Sequence, residues 1–200
     1  MKTENVVLMK MARESLTGKW GLAIGTCMVY FLILGIFQIK PMWGAIPVLL
    51  VSGPLLLGLS IFSLSISRNE EARLEQLFLG FNDFGLALGA YLIMVLFIIL
   101  WTILLIIPGI IAALSYSLTF FIIADDNSIG AKEAIDKSKM MMDGYKLKLF
   151  RLVLRFLGLA LLCILTLGIG FFWLIPYTQV CMAKFYDDVK ANQLMIEKIL

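Results

Sequence analysis

The sequence contains no histidine at all, and only 16% of its 200 residues are charged. Without histidine there can be no Ser-His-Asp or Cys-His constellation, and the usual zinc-hydrolase ligand sets are missing. No G-x-x-x-x-G-K-[ST] loop occurs, nor a G-x-G-x-x-G after a strand, so the chain has no recognisable means of driving work with nucleotides and offers no nucleic-acid signature. The three cysteines, Cys27, Cys163 and Cys181, lie far apart in apolar segments and read as packing residues, not as a disulfide or metal set. The opening Met1-Lys2-Thr3-Glu4 leads into a charged amphipathic stretch, so no cleaved signal peptide is expected.

Hydrophobic residues fill 61% of the chain, against roughly 45–50% in an ordinary soluble domain. Charge is also segregated, since residues 20–39, 41–67, 84–124 and 156–183 carry none. A bilayer core of about 30 Å takes ~20 helical residues, so each stretch is long enough to cross it. The third is long enough for two crossings and has to fold back, with Pro108-Gly109 as the expected reversal. The reading is an all-α, polytopic transmembrane helical bundle of about six spans. In that arrangement sixteen of the seventeen Lys and Arg residues fall on the cytoplasmic side and only Lys40 outside, with both termini cytoplasmic. A five-span chain, with 156–183 as one long helix, would instead put Lys184, Lys190 and Lys198 outside. The six-span form needs a tight turn at Thr166-Leu167-Gly168-Ile169-Gly170.

The single membrane domain divides into three repeat units, about 3–71, 72–126 and 127–188, followed by a short C-terminal tail. Trp20-Gly21-Leu22-Ala23-Ile24-Gly25 matches Phe84-Gly85-Leu86-Ala87-Leu88-Gly89, and Phe156-Leu157-Gly158-Leu159-Ala160 is a weaker third copy. Each copy follows an amphipathic segment ending at Gly18, Gly80 or Gly144. Each unit closes on a proline-bearing segment and an acidic pair: Pro54 with Glu70-Glu71, Pro108 with Asp125-Asp126, Pro176 with Asp187-Asp188. The unit is therefore an interfacial helix plus a helical hairpin. In the first, Leu8, Met11, Ala12, Ser15 and Leu16 form the apolar stripe. In the third, Ser128 is the expected N-cap of a helix from Ile129 to Met142, with Glu133 and Lys137 one turn apart and Gly144 in the left-handed closing position. The spacings Gly21/Gly25 and Gly85/Gly89 predict close backbone approach between spans.

No carboxylate falls inside an apolar stretch, which counts against ion-coupled transport, since such carriers use intramembrane ionisable groups. The acidic pairs would converge if the repeat is spatial, as an acid/base or metal cluster; solvated helix ends are the plainer reading. Lys146, Lys148, Arg151 and Arg155 open the last charged-to-apolar transition and are candidates for an anionic headgroup, because guanidinium groups bind phosphate as a fork. The same residues also satisfy a simple anchoring role. Met140-Met141-Met142 reads as interfacial packing.

Leu105-Ile106-Ile107-Pro108-Gly109-Ile110-Ile111-Ala112, continuing through Ser115-Tyr116-Ser117, Ala124-Asp125-Asp126, Ala131-Lys132-Glu133-Ala134-Ile135 and Ser138, resembles the bacterial multi-pass proteins catalogued as domain of unknown function 975. Gly18-Lys19-Trp20-Gly21, Gly53-Pro54-Leu55 with Arg68 and Glu70-Glu71, and residues 166–186 extend the resemblance over nearly the whole chain. More remotely, the Ile-Pro-Gly segment is similar to the membrane domain of some glycerophosphodiester phosphodiesterases, whose catalytic partner is absent here. The resemblance implies a bacterial plasma membrane and a compact helical fold. The expected function is non-enzymatic, with no cofactor, no metal and no catalytic residue: binding of anionic lipid or a membrane-protein partner in scaffolding or envelope maintenance, its oligomeric state open. The alternatives are a transporter or channel for a neutral or amphiphilic solute, working at Pro54, Pro108 and Pro176, and a lipid enzyme built on the acidic pairs.

Overall fold

The computed structural model describes residues 3–38 and 41–197, and among these every regular element is a helix. Lys40 and Lys198 lie outside the described residues. The helices are α1 (Asn5–Leu16), α2 (Trp20–Gln38), α3 (Pro41–Ser67), α4 (Gln76–Leu79), α5 (Phe84–Leu104), α6 (Ile106–Tyr116), α7 (Thr119–Asp125), α8 (Ala131–Met141), α9 (Lys146–Leu165) and α10 (Phe171–Glu197). Among the described residues four segments are long and apolar enough to cross a membrane: Trp20–Phe37, Ile46–Ser67, Phe84–Leu104 and Ile106–Asp125.

The core is organised around α3, whose residues from Ser52 to Ser67 are buried on nearly every side. A helix apolar all round belongs in an interior, and α3 touches α1, α2, α4, α5, α7 and α10. Its serines before Ser67 avoid orphaned hydroxyls by donating back one turn, Ser52 to the Val48 carbonyl at 2.6 Å and Ser63 to Leu59 at 2.7 Å. Pro47 and Pro54 sit inside α3, and Pro176 inside α10, without ending either helix.

Close approach to α3 is made by glycines other than those the spacing singled out. A Cβ on Gly58 would lie 1.9 Å from the Leu77 carbonyl oxygen, and one on Gly80 2.0 Å from that of Pro54. Gly80 has φ −63°, so it serves contact and not a left-handed turn. Gly21, Gly25 and Gly85 face open space, and Gly89 meets only the Ala131 Cβ at an ordinary 3.6 Å. The reason is rotational: two residues turn a helix by about 200°, and the fully buried positions of the repeat are Ala23 and Ala87, which carry Gly21 and Gly85 away from the core.

The long third apolar stretch reverses at Leu105, which is extended (φ −161°, ψ 141°), three residues before the expected Pro108. Pro108 then occupies the first turn of α6, where a missing N–H has no consequence. Gly109 lets α6 close on α5, since a Cβ there would come 2.3 Å from Thr102 Oγ1. A second break separates α6 from α7 at Ser117-Leu118. Ser138 of α8, fully buried, repairs it by donating to the Ser115 carbonyl at 2.8 Å and accepting from the Leu118 N–H at 3.2 Å.

The last apolar run is two helices, divided by a tight turn with Leu167 at φ 53° and Gly168 at φ 85°. Gly144 takes the left-handed region as expected, and Gly18 takes it too. The N-cap of α8 is Gly130, not Ser128; the Ser128 hydroxyl and N–H instead donate to Asp126 at 2.5 and 3.1 Å. The stripe of α1 forms with Leu8, Ala12, Ser15 and Leu16 buried and Met11 exposed, and it is covered by protein, chiefly α10.

Candidate functional site

Charge gathers where α3 and α7 end against the middle of α10. Arg68, one residue past α3, reaches Asp125 of α7 with a two-pronged fork, Nη1 to Oδ1 at 2.6 Å and Nη2 to Oδ2 at 3.0 Å. The same guanidinium donates to Asp187 of α10, from Nη2 at 2.8 Å and from Nε at 3.2 Å. Tyr186 and Lys190 donate to Asp125 at 2.9 and 2.5 Å, Ser67 donates to Asp187 at 3.0 Å, and the Lys184 ammonium donates to the Ser67 carbonyl. A planar guanidinium is suited to bridging two carboxylates in this way. Hydrogen bonding to Asp125 raises the Arg68 pKa further above its ordinary value, and burial pushes that of Lys184 down.

This cluster unites the ends of the three sequence units, but it is saturated. Both carboxylates are held by cations, and among the described residues no three acidic, cysteine or histidine side chains are placed to hold a metal. The acidic pairs are also split between sites. Glu70 and Glu71 stay out of the cluster, with Glu71 in an exposed pair with Arg73. Asp126 turns to Ser128, and Asp188 pairs with Lys148 at 2.6 Å, both side chains being largely buried.

The four basic candidates therefore part company. Lys148 is committed to Asp188, with its ammonium also 5.3 Å from the centre of the Phe185 ring. Lys146 sits on the opposite face of α9, because two residues correspond to about 200° of helix; it lines a small groove with Lys139. Arg151 and Arg155, one turn apart, are exposed and share a second groove of about 560 Å3 with the N-terminal end of α1. Thr3, Glu4, Asn5 and Val6 form its other wall. No side chain caps α1 there, so its first N–H groups add partial positive charge to the groove. Neither arginine is in an ion pair among the described residues.

The family model described as protein of unknown function (DUF975) matches residues 1–115 and 102–193. The chain belongs to the DUF975 family. No curated protein and no solved structure matches it, and nothing in these comparisons supports the more remote likeness to the glycerophosphodiester phosphodiesterase membrane domain. For this DUF975 protein the family brings no assigned activity, so function has to be argued from the grooves and the charge cluster.

Sequence reasoning missed the bridging role of Arg68 and the Lys148–Asp188 pair. The signal for the first was present, since Arg68 and Asp125 each stand where an apolar run ends and Asp187 lies within one turn of the end of the next.

Proposed function

We propose that this is a multi-pass protein of the bacterial plasma membrane that holds an anionic phospholipid at its cytoplasmic face, in a non-enzymatic scaffolding or envelope-maintenance role. Six crossings arranged as three repeats, each an amphipathic helix followed by a hairpin, with both termini cytoplasmic, is the topology that goes with it. The element order supports the repeat: α1, α4 and α8 each precede a hairpin, and each hairpin contributes to the Arg68 cluster, the first with Arg68 just past α3, the second with Asp125 at the end of α7 and the third with Asp187 within α10.

The observation that carries the lipid reading is the groove of Arg151 and Arg155. They are exposed cations without a carboxylate partner among the described residues, set beside the uncapped start of α1 and next to the outward-facing apolar residues Leu147 and Leu154. A phosphate bridging the two guanidinium groups would find both charge and hydrogen-bond donors, while its chains remain in hydrocarbon. Basic residues near an anionic membrane surface contribute ~1 kcal/mol each, so the pair is worth about 2 kcal/mol, or roughly thirtyfold in retention.

Native mass spectrometry of the protein extracted in mild detergent with phosphatidylglycerol tests this. The parent chain is expected to carry the lipid and the Arg151→Glu/Arg155→Glu variant to lose it; equal retention would leave the arginines as simple anchors and defeat the reading. A solute carrier is the second reading, favoured by an apolar pocket of about 470 Å3 between α2 and α10 that includes Met28, Phe31 and Phe172. Flux of an amphiphilic solute into proteoliposomes, abolished by Phe31→Trp, would favour it.

A further inference from the structure

A second groove, remote from Arg151 and Arg155 around α9, has a build of its own. It runs along α6, with a volume of about 190 Å3. Its apolar wall consists of Trp101 from α5 and Pro108, Ile111 and Ala112 from α6. At the other end stand Tyr116, Lys139 and Lys146.

Three features of that end point to an anion. Lys139 is exposed and Lys146 half-buried, and among the described residues neither is in an ion pair, Asp136 and Asp143, their nearest acidic neighbours in sequence, included. Tyr116, 8% exposed as a whole residue, lines the groove beside the lysines and carries a hydroxyl able to donate to an anion there. The apolar wall is in place beside these charges, so that a chain attached to the anion has a surface to lie against, with exposed Trp101 at its far end.

We infer that this groove is a second anionic-phospholipid site, with the headgroup phosphate held between Lys139, Lys146 and the Tyr116 hydroxyl and one acyl chain lying along α6 toward Trp101. The volume takes part of one chain and not a whole lipid, so the remainder of the molecule stays in the surrounding bilayer. Charge complementarity selects an anionic headgroup over a zwitterionic one, because a zwitterion would bring a cation to a place that already holds two. The inference rests on the proposal that the chain lies in a bilayer, but on none of the residues of the arginine groove.

Trp101 is a built-in reporter. In a full chain with Trp20, Trp43 and Trp173 replaced by phenylalanine, reconstituted in phosphatidylcholine vesicles, its fluorescence is quenched by phospholipids with brominated chains. At equal mole fraction, brominated phosphatidylglycerol should be preferred over brominated phosphatidylcholine by at least about fivefold, the effect of one basic residue near an anionic surface. Lys139→Gln/Lys146→Gln should bring the two lipids to parity, Lys139→Arg/Lys146→Arg should restore the preference, and Arg151→Gln/Arg155→Gln should leave it intact. Parity in the parent chain, or a preference that survives loss of both lysines, would overturn the inference. A preference lost only in the arginine variant would assign lipid selection to the other groove and overturn it equally. Where the tryptophan substitutions prevent folding, an environment-sensitive fluorophore on Ile111→Cys reads the same quenching. Failure here leaves the mass-spectrometric result at Arg151 and Arg155 untouched, so the two claims fail separately.

Discussion

Arg68 shows how one side chain can close a fold whose remaining contacts are mostly apolar. Its partners Asp125 and Asp187 lie 57 and 119 residues away in sequence, and its side chain is 32% exposed against 11% and 29% for theirs. Removing one member of such a pair leaves the others uncompensated, which costs about 3–5 kcal/mol when buried and less where water screens it. Arg68→Ala is expected to lower stability by about 2 kcal/mol, read as a drop in the thermal unfolding midpoint in detergent, whereas Arg73→Ala, whose pair with Glu71 is open to solvent, should leave that midpoint unchanged. Equal behaviour of the two variants would deny Arg68 its bridging role. The positions of these charges at or near the ends of apolar runs were legible in the sequence. Their pairing was not, because hydropathy places a residue along the membrane normal and says nothing about which neighbour it meets.

Among the helices, the contrast between glycines is the clearest lesson. Spacing alone picked Gly21/Gly25 and Gly85/Gly89, but the face a helix turns inward depends on its neighbours, and here Ala23 and Ala87 face the core. The tightest approaches are made by single glycines, Gly58 and Gly80, at a crossing of α3 with the short α4 that no periodicity announces. Gly58→Ala must push against the Leu77 backbone and is expected to cost about 3 kcal/mol, the upper end of what overpacking does. Gly21→Ala meets nothing and should leave stability the same or raise it by up to ~1 kcal/mol through helix propensity. Denaturation of the two variants in the same detergent checks both signs. The breaks were legible in kind but not in place: Pro108 announced a reversal that occurs at Leu105, and the Ser117-Leu118 break, repaired by Ser138, has no proline to mark it.

At the scale of the whole molecule, composition and charge-free runs gave the all-helical class and the likeness in residues 105–138 gave the family, both of which stand. The basic cluster of the last unit was visible as a cluster, yet helical rotation divides it: Lys148 goes to Asp188, Lys146 to the α6 groove, and only Arg151 and Arg155 remain together. What unites the proposals is one orientation, with α1, α8, the Arg68 cluster and the arginine groove at the cytoplasmic face and the α9–α10 turn at the other. Cysteine labelling in sealed right-side-out and inside-out vesicles tests this directly, with the native cysteines replaced by alanine and a membrane-impermeant maleimide as the reagent. Glu75→Cys, Lys132→Cys and Ala191→Cys should be labelled only from the cytoplasmic side, and Leu167→Cys, 94% exposed at the α9–α10 turn, only from outside. Labelling of Ala191→Cys and Lys132→Cys from opposite sides would contradict the account, because the last two helices would no longer return the chain to the face from which it entered.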